Sequence, residues 1–147
     1  PREDWDKAIE INMTAVFFCA RVAGRHMIAQ GSGCIVNIAS IMGLIGCRYP
    51  NISYQTAKGG VVNMTRGLAA EWAQDGVRVN AIAPIYVKTE LTAPMPEAWI
   101  EDFDRMAPLG GRADPVDIAN AALYLSSREA GMVTGHILPV DGGYTAR

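Results

Sequence analysis

The order of helical and strand-like patterns in this sequence predicts an α/β fold, a parallel sheet with helices on both faces. Three observations carry that reading. Helix-period segments alternate with strand-like runs along the 147 residues. The runs are short, apolar and rich in β-branched residues, as strands buried on both faces are. Glycine or proline closes nearly every segment. The composition agrees: half the residues are hydrophobic and 19% are charged, which suits one globular domain with a core.

Each element follows from local chemistry. Residues 4–29 carry Trp5, Ile9, Val16, Phe17, Ala20, Ala23 and Met27 at helical spacing, so one long amphipathic helix is expected there. GSG at 31–33 ends it, and CIVNIAS at 34–40 reads as a buried parallel strand. Residues 41–52, with Gly43, Gly46 and Pro50, form a loop. Ser53 is the expected N-cap of a second helix that runs to about Gln74 and stops at Asp75-Gly76. VRVNAIAP at 77–84 is the second strand, and 85–99, with two prolines, is a loop holding a short helix. Pro115 opens a third helix from its first turn, and GHILPVDGG at 135–143 supplies the third strand.

Charge and cysteine usage narrow the partners. The net charge of −2 comes from 13 basic and 15 acidic residues with no basic stripe, which argues against nucleic acid. No apolar run has the length of a membrane span, so no membrane partner is expected. Cys19, Cys34 and Cys47 are odd in number and lack metal-ligand spacing. They read as buried or half-buried thiols of a reducing, cytoplasmic setting, and no metal is expected.

The chemistry centres on SYQTAKGG, residues 53–60. Tyr54 and Lys58 stand four apart near a helix start, so their polar ends share one face. A Tyr-x-x-x-Lys spacing alone carries little, because an exposed pair on a helix surface has it too. Topology adds to it. In open α/β sheets function gathers at the carboxyl ends of the strands. Ser40, Pro84 and Asp141 end the three strands, and Tyr54 and Lys58 follow the first at the same edge.

Six segments in order, INMTAVFF (11–18), GCIVNIASIMG (33–43), YQTAK (54–58), GVRVNAIAP (76–84), VKTELT (87–92) and TGHILPVDGG (134–143), make the chain resemble the short-chain dehydrogenase/reductases. The resemblance covers essentially the whole chain and implies a Rossmann-like doubly wound parallel sheet. It matches the second half of that fold. The glycine-rich T-G-x-x-x-G-x-G loop and the N-N-A-G segment of the first half do not occur in these residues. Residues 1–147 are therefore expected to be a fragment: the C-terminal part of a single domain, about three strands with flanking helices, its N-terminal dinucleotide-binding half absent.

By resemblance, Tyr54 is the general acid/base and Lys58 lowers its pKa and binds the nicotinamide ribose. Ser40 holds the substrate oxygen, and Asn12 completes the catalytic set from within the long helix. Pro84, Val87 and Thr89, with Tyr54 and Lys58, are the implied contacts to NAD or NADP. Ile85 departs from the family's usual glycine, and the turn is expected to stay at negative φ. Residues 92–106 are expected to cover the substrate. The implied activity is hydride transfer between NAD(P) and a small-molecule secondary alcohol or ketone, leaning to a sugar, polyol or sugar acid. A 3-oxoacyl-thioester reductase is an alternative, as is a non-catalytic or truncated member serving only as an oligomerisation module. A homo-tetramer through the two long helices is implied, with Gly59 and Gly60 allowing close approach there.

Overall fold

The computed structural model describes residues 1–146. Its sheet has three parallel strands in the order β1 (Gly33–Ile38), β2 (Val77–Pro84), β3 (Ile137–Val140). β2 is central, and all its residues except Arg78 are buried. Burial on both faces suits its apolar Val77, Val79 and 81–84, and the buried Asn80 is satisfied by the Val133 carbonyl and the His136 N–H. The register runs from Gly33 opposite Val77 to Ile38 opposite Ile82, and from Ala81 opposite Ile137 to Pro84 opposite Val140. Pro84, which has no N–H to give, closes the strand.

Both sheet faces are covered, as the sequence predicts. Odd-numbered residues of β2 point to the helices α2 (Ala15–Gln30) and α3 (Ile52–Trp72). There Val61 and Val62 meet Ala81 and Ala83, and Leu68 and Ala20 meet Val77 and Val79. The opposite face carries α5 (Pro115–Ser126), whose Leu125 is fully buried. Arg78 crosses that face and donates to the carbonyls of Leu125, Ser127 and Val133, tying down the end of α5. Asp117 accepts from the Asp114 N–H at 2.8 Å, fixing the start that Pro115 announces.

Four details differ from expectation. The first helix is α1 (Arg2–Ile9), then a π turn (Glu10–Thr14), then α2. The Ala15 N–H bonds to Glu10 O, five residues back. One wide turn barely disturbs an apolar period, so the pattern reads straight through it. The helix is also apolar beyond one face: of α2 only Ala20 and Gly24 are buried, while Phe17, Phe18, Val22 and Cys19 are exposed. β1 stops at Ile38. Ser40 lies beyond it, capping a 3₁₀ turn (Ile41–Gly43) by accepting the Met42 N–H at 3.2 Å. Asn51, not Ser53, precedes α3, and its side chain makes no cap bond because Gln55 Nε2 donates to it at 2.7 Å.

At the far end of the sheet, α3 runs out through a 3₁₀ turn to Gly76, which has φ of 76°. A Cβ there would lie 2.3 Å from Gly31 O, so the crossover into β2 requires glycine on both counts. The expected short helix is α4 (Glu97–Met106), and after Asp141 the chain turns at Gly142 and Gly143, both at positive φ, with the Asp141 carboxylate accepting from Gly143 N and Thr145 N.

Candidate active site

The carboxyl ends of β1 and β2 open into a cavity of about 750 Å³. Asn12, Ser40, Tyr54, Lys58, Pro84, Val87 and Thr89, the catalytic and cofactor-binding residues expected from the sequence, all line it, while Asp141 at the end of β3 does not. Four elements bring them there.

α3 supplies Tyr54 and Lys58. Lys58 is only 8% exposed, and its Nζ donates to Ile38 O, the last carbonyl of β1, at 3.0 Å. The 3₁₀ turn that follows Ser40 lies directly on this helix. A Cβ on Gly43 would stand 2.6 Å from the Lys58 carbonyl, so only glycine allows the approach. Ser40 is thereby held at the cavity with Tyr54, close enough to act on its phenol. Burial pushes the Tyr54 phenol up, and the Ser40 hydrogen bond pulls the other way. Burial pushes the Lys58 ammonium down.

The expectation that Lys58 brings the phenol down meets a correction here: the net direction on Tyr54 is upward. The Lys58 ammonium sits 5.6 Å from the centre of the Tyr54 ring and is engaged with Ile38 O, and burial sets the direction at the phenol.

The π turn supplies Asn12, whose Nδ2 donates to Ala8 O at 3.1 Å. Its neighbour Met13 packs on Gly60, where a Cβ would come within 2.2 Å of the Met13 sulfur. The close approach expected of Gly60 between subunits is thus used inside the chain, and it docks the π turn on α3.

The segment after β2 supplies the opposite wall. Ile85 N donates to Val140 O at 3.1 Å, Ala113 N to Tyr86 O at 3.0 Å, and Lys88 N to Ala113 O at 3.0 Å. These bonds pin both sides of Val87, yet the Val87 N–H has no acceptor among the described residues. Thr92 Oγ1 donates to Val87 O at 2.6 Å and stands 3.2 Å from Thr89 N. A rigid loop with a free backbone amide beside the cavity suits a cofactor carboxamide.

Ile85 keeps negative φ, as expected, and is 5% exposed among Ile41, Met42, Phe103, Ala107 and Tyr144. It is a core side chain. Ile85→Gly is expected to cost about 3 kcal/mol or more of stability in urea unfolding, with no gain in cofactor affinity. Tighter binding by calorimetry would show that the turn is strained as it stands.

Sequence reasoning missed part of the cavity wall, Met42, Asn51 and Tyr86, whereas Met95 and Phe103 belong to the 92–106 segment expected over the substrate. It also missed how α4 is fastened. Asp102 is buried, accepts from the Tyr49 hydroxyl at 2.7 Å, and pairs with Arg48 and Arg105. The Tyr49 hydrogen bond, followed by that of Arg105, holds the Asp102 carboxyl below the usual carboxylate range. Tyr49 also stacks on Trp99 at 4.4 Å, so α4 is bound to the loop before α3 with Phe103 turned to the cavity. The apolar spacing of Trp99, Ile100, Phe103 and Met106 was the available signal for this helix.

Among the described residues no group of three or more His, Cys, Asp or Glu could hold a metal ion, and no helix is long and apolar enough to cross a membrane.

The family model described as Enoyl-(Acyl carrier protein) reductase matches residues 1–145. The chain is 48% identical over 145 residues to galactitol 2-dehydrogenase (L-tagatose-forming) of Cereibacter sphaeroides, covering 96% of this chain and 57% of the relative. It is 46% identical over 142 residues to cis-4-hydroxycyclohexanecarboxylate dehydrogenase of Sinomonas cyclohexanicum, covering 97% and 57%. A solved gluconate 5-dehydrogenase from Burkholderia cenocepacia, in complex with NADP and tartrate, superposes with a TM-score of 0.95 at 34% identity. That match covers 100% of this chain and 58% of the other. The chain thus spans about 57% of the length of the curated relatives it matches.

Proposed function

We propose that this chain, which belongs to the short-chain dehydrogenase/reductase superfamily, is the proton-transfer and substrate-facing part of an NAD(P)-dependent oxidoreductase that interconverts a secondary alcohol and a ketone. One observation carries the reading: Asn12, Ser40, Tyr54 and Lys58 meet the 84–89 segment around a single cavity. Residues 1–147 are read as the C-terminal part of one larger Rossmann-fold domain. The 57% coverage of the relatives and a sheet of three strands support this.

The roles follow from the side chains. In oxidation Tyr54 takes the hydroxyl proton of the alcohol, and in reduction it returns one to the ketone oxygen. Ser40, fixed by the Gly43 contact, hydrogen-bonds the same oxygen and steadies the charge that develops on it. Lys58 places a positive charge beside Tyr54 that favours the phenolate as the proton moves. Bound NAD or NADP supplies the hydride acceptor or donor. Lys58, the free Val87 N–H, Pro84 and Thr89 are the residues here that would hold its nicotinamide end. Asn12 braces the Lys58 side of the cavity from the π turn.

A sugar, polyol or sugar-acid substrate accords with the names of the galactitol and gluconate relatives. A homo-tetramer through the long helices accords with the exposed Phe17, Phe18 and Val22 of α2. A cytoplasmic setting accords with three free cysteines. The full-length protein is expected to reduce NAD or NADP with galactitol, gluconate or a related polyol, followed by NAD(P)H absorbance. Turnover confined to a 3-oxoacyl thioester would transfer the assignment to the acyl-reductase class. Silence toward every alcohol and ketone would remove the oxidoreductase reading.

A further inference from the structure

We propose that the Tyr86 phenol is a second substrate-recognition group, donating a hydrogen bond to an oxygen neighbouring the reacting one, so that the site selects secondary alcohols that carry an adjacent hydroxyl or carbonyl. The inference rests on the oxidoreductase reading above and specifies the substrate class for the same site.

Most polar groups of the cavity are already engaged. Asn51 is engaged with Gln55 and Met42 Sδ, and Thr92 Oγ1 with Val87 O. Ser40 and Tyr54 serve the reacting oxygen. Tyr86 lines the cavity too, and its hydroxyl makes no hydrogen bond among the described residues. The surrounding wall is apolar, from Met42, Leu91, Met95 and Phe103. With Lys58, the Val87 N–H and Thr89 given to the nicotinamide end, a second oxygen on the substrate would find the Tyr86 hydroxyl as an open donor, and much of its body would meet hydrocarbon. Binding sites with few placed polar groups in an apolar wall fix orientation in this way.

Tyr86 is also held more firmly than a loop residue usually is. Its backbone is bonded through Ile85 N to Val140 O and through its own carbonyl to Ala113 N. Its ring meets Phe103 edge-on, centroids 4.4 Å apart at 68°. Phe103 is fully buried and follows Asp102, the anchor of α4. A donor fixed in this way loses little entropy when it binds.

Tyr54 and Tyr86 both line the cavity. Burial, followed by the neighbouring Cys47, Tyr54 and Tyr49, pushes the Tyr86 hydroxyl up to about 12. At any working pH it stays protonated, a hydrogen-bond donor and not a competing base.

The test compares Tyr86→Phe with the wild-type full-length protein, on cyclohexanol and on cis-1,2-cyclohexanediol. The variant keeps the ring that Phe103 packs against. Its KM for the diol is expected to rise about tenfold, while kcat and the kcat/KM for cyclohexanol stay within about twofold. Equal losses on both substrates would make Tyr86 a structural residue and overturn the assignment. An unchanged KM for the diol would overturn it as well. A wild-type protein inactive on every alcohol and ketone would instead remove the oxidoreductase reading, and the Tyr86 assignment with it.

Discussion

Tyr54→Phe in the full-length protein is expected to lower turnover by roughly 10²–10⁴-fold, the range that a positioned acid/base contributes, while cofactor affinity stays within a few-fold. Phenylalanine fills the same half-buried place beside the 3₁₀ turn but carries no proton. The pH dependence is a second signature. Burial raises the Tyr54 phenol, so less phenolate exists at neutral pH than a free phenol would give. Alcohol oxidation, which needs the phenolate, should therefore climb as pH rises through the alkaline range. Ketone reduction, which needs the protonated phenol, should be fastest on the acid side. Lys58→Ala should move the oxidation limb to higher pH and weaken cofactor binding as well. Stopped-flow rates across pH for the wild type and both variants check all three expectations. Near-normal turnover in Tyr54→Phe would end the assignment.

The second large effect concerns the 147 residues expressed alone, which should bind neither NADH nor NADPH measurably and should self-associate. In dinucleotide folds the pyrophosphate rests on a glycine-rich turn and a helix N-terminus, and these residues contain no T-G-x-x-x-G-x-G run. Lys58, Val87 and Thr89 are left to hold the nicotinamide end alone. β1 is also an edge strand of the three-stranded sheet, and its last residue, Ile38, is 47% exposed. An open apolar edge recruits other strands. Fluorescence titration with light scattering would read both outcomes. Micromolar cofactor binding by a monodisperse monomer would show a self-sufficient domain and sink the proposal that this is part of a larger one.

What could be read from the sequence follows physical lines. β2 was legible because burial on both faces leaves it mostly apolar, and α5 because Pro115 marks a first turn. Tyr54, Lys58 and Ser40 were legible because strand ends and helix starts of a parallel sheet converge at one edge. The π turn was not legible, since one extra residue per turn leaves the apolar period nearly intact. The cap of α3 was misplaced by competition: Asn51 and Ser53 both suit the position, and the Gln55 amide decides it without a cap bond. The upward direction at Tyr54 was out of reach, because it depends on how much water the surrounding side chains exclude. The Asp102 anchor joins residues more than fifty positions apart, and no local pattern announces such a contact. Tyr86 was passed over because a tyrosine in a loop looks ordinary until its neighbours are seen to be already engaged.

The wide turn at Glu10–Thr14 makes the spacing of residues there matter independently of their identity. Ile11 is exposed and packs little, so trimming its side chain should be nearly silent. Deleting the residue is a different operation. It would return the turn to ordinary α-helix and rotate everything before it by about 100°. Ala8 would then lie three positions from Asn12, and the carbonyl that now anchors the Asn12 amide would be swept aside. The turn acts as a phase adjustment between α1 and the cavity, so a lost codon at a position that tolerates substitution would detune a residue it does not encode.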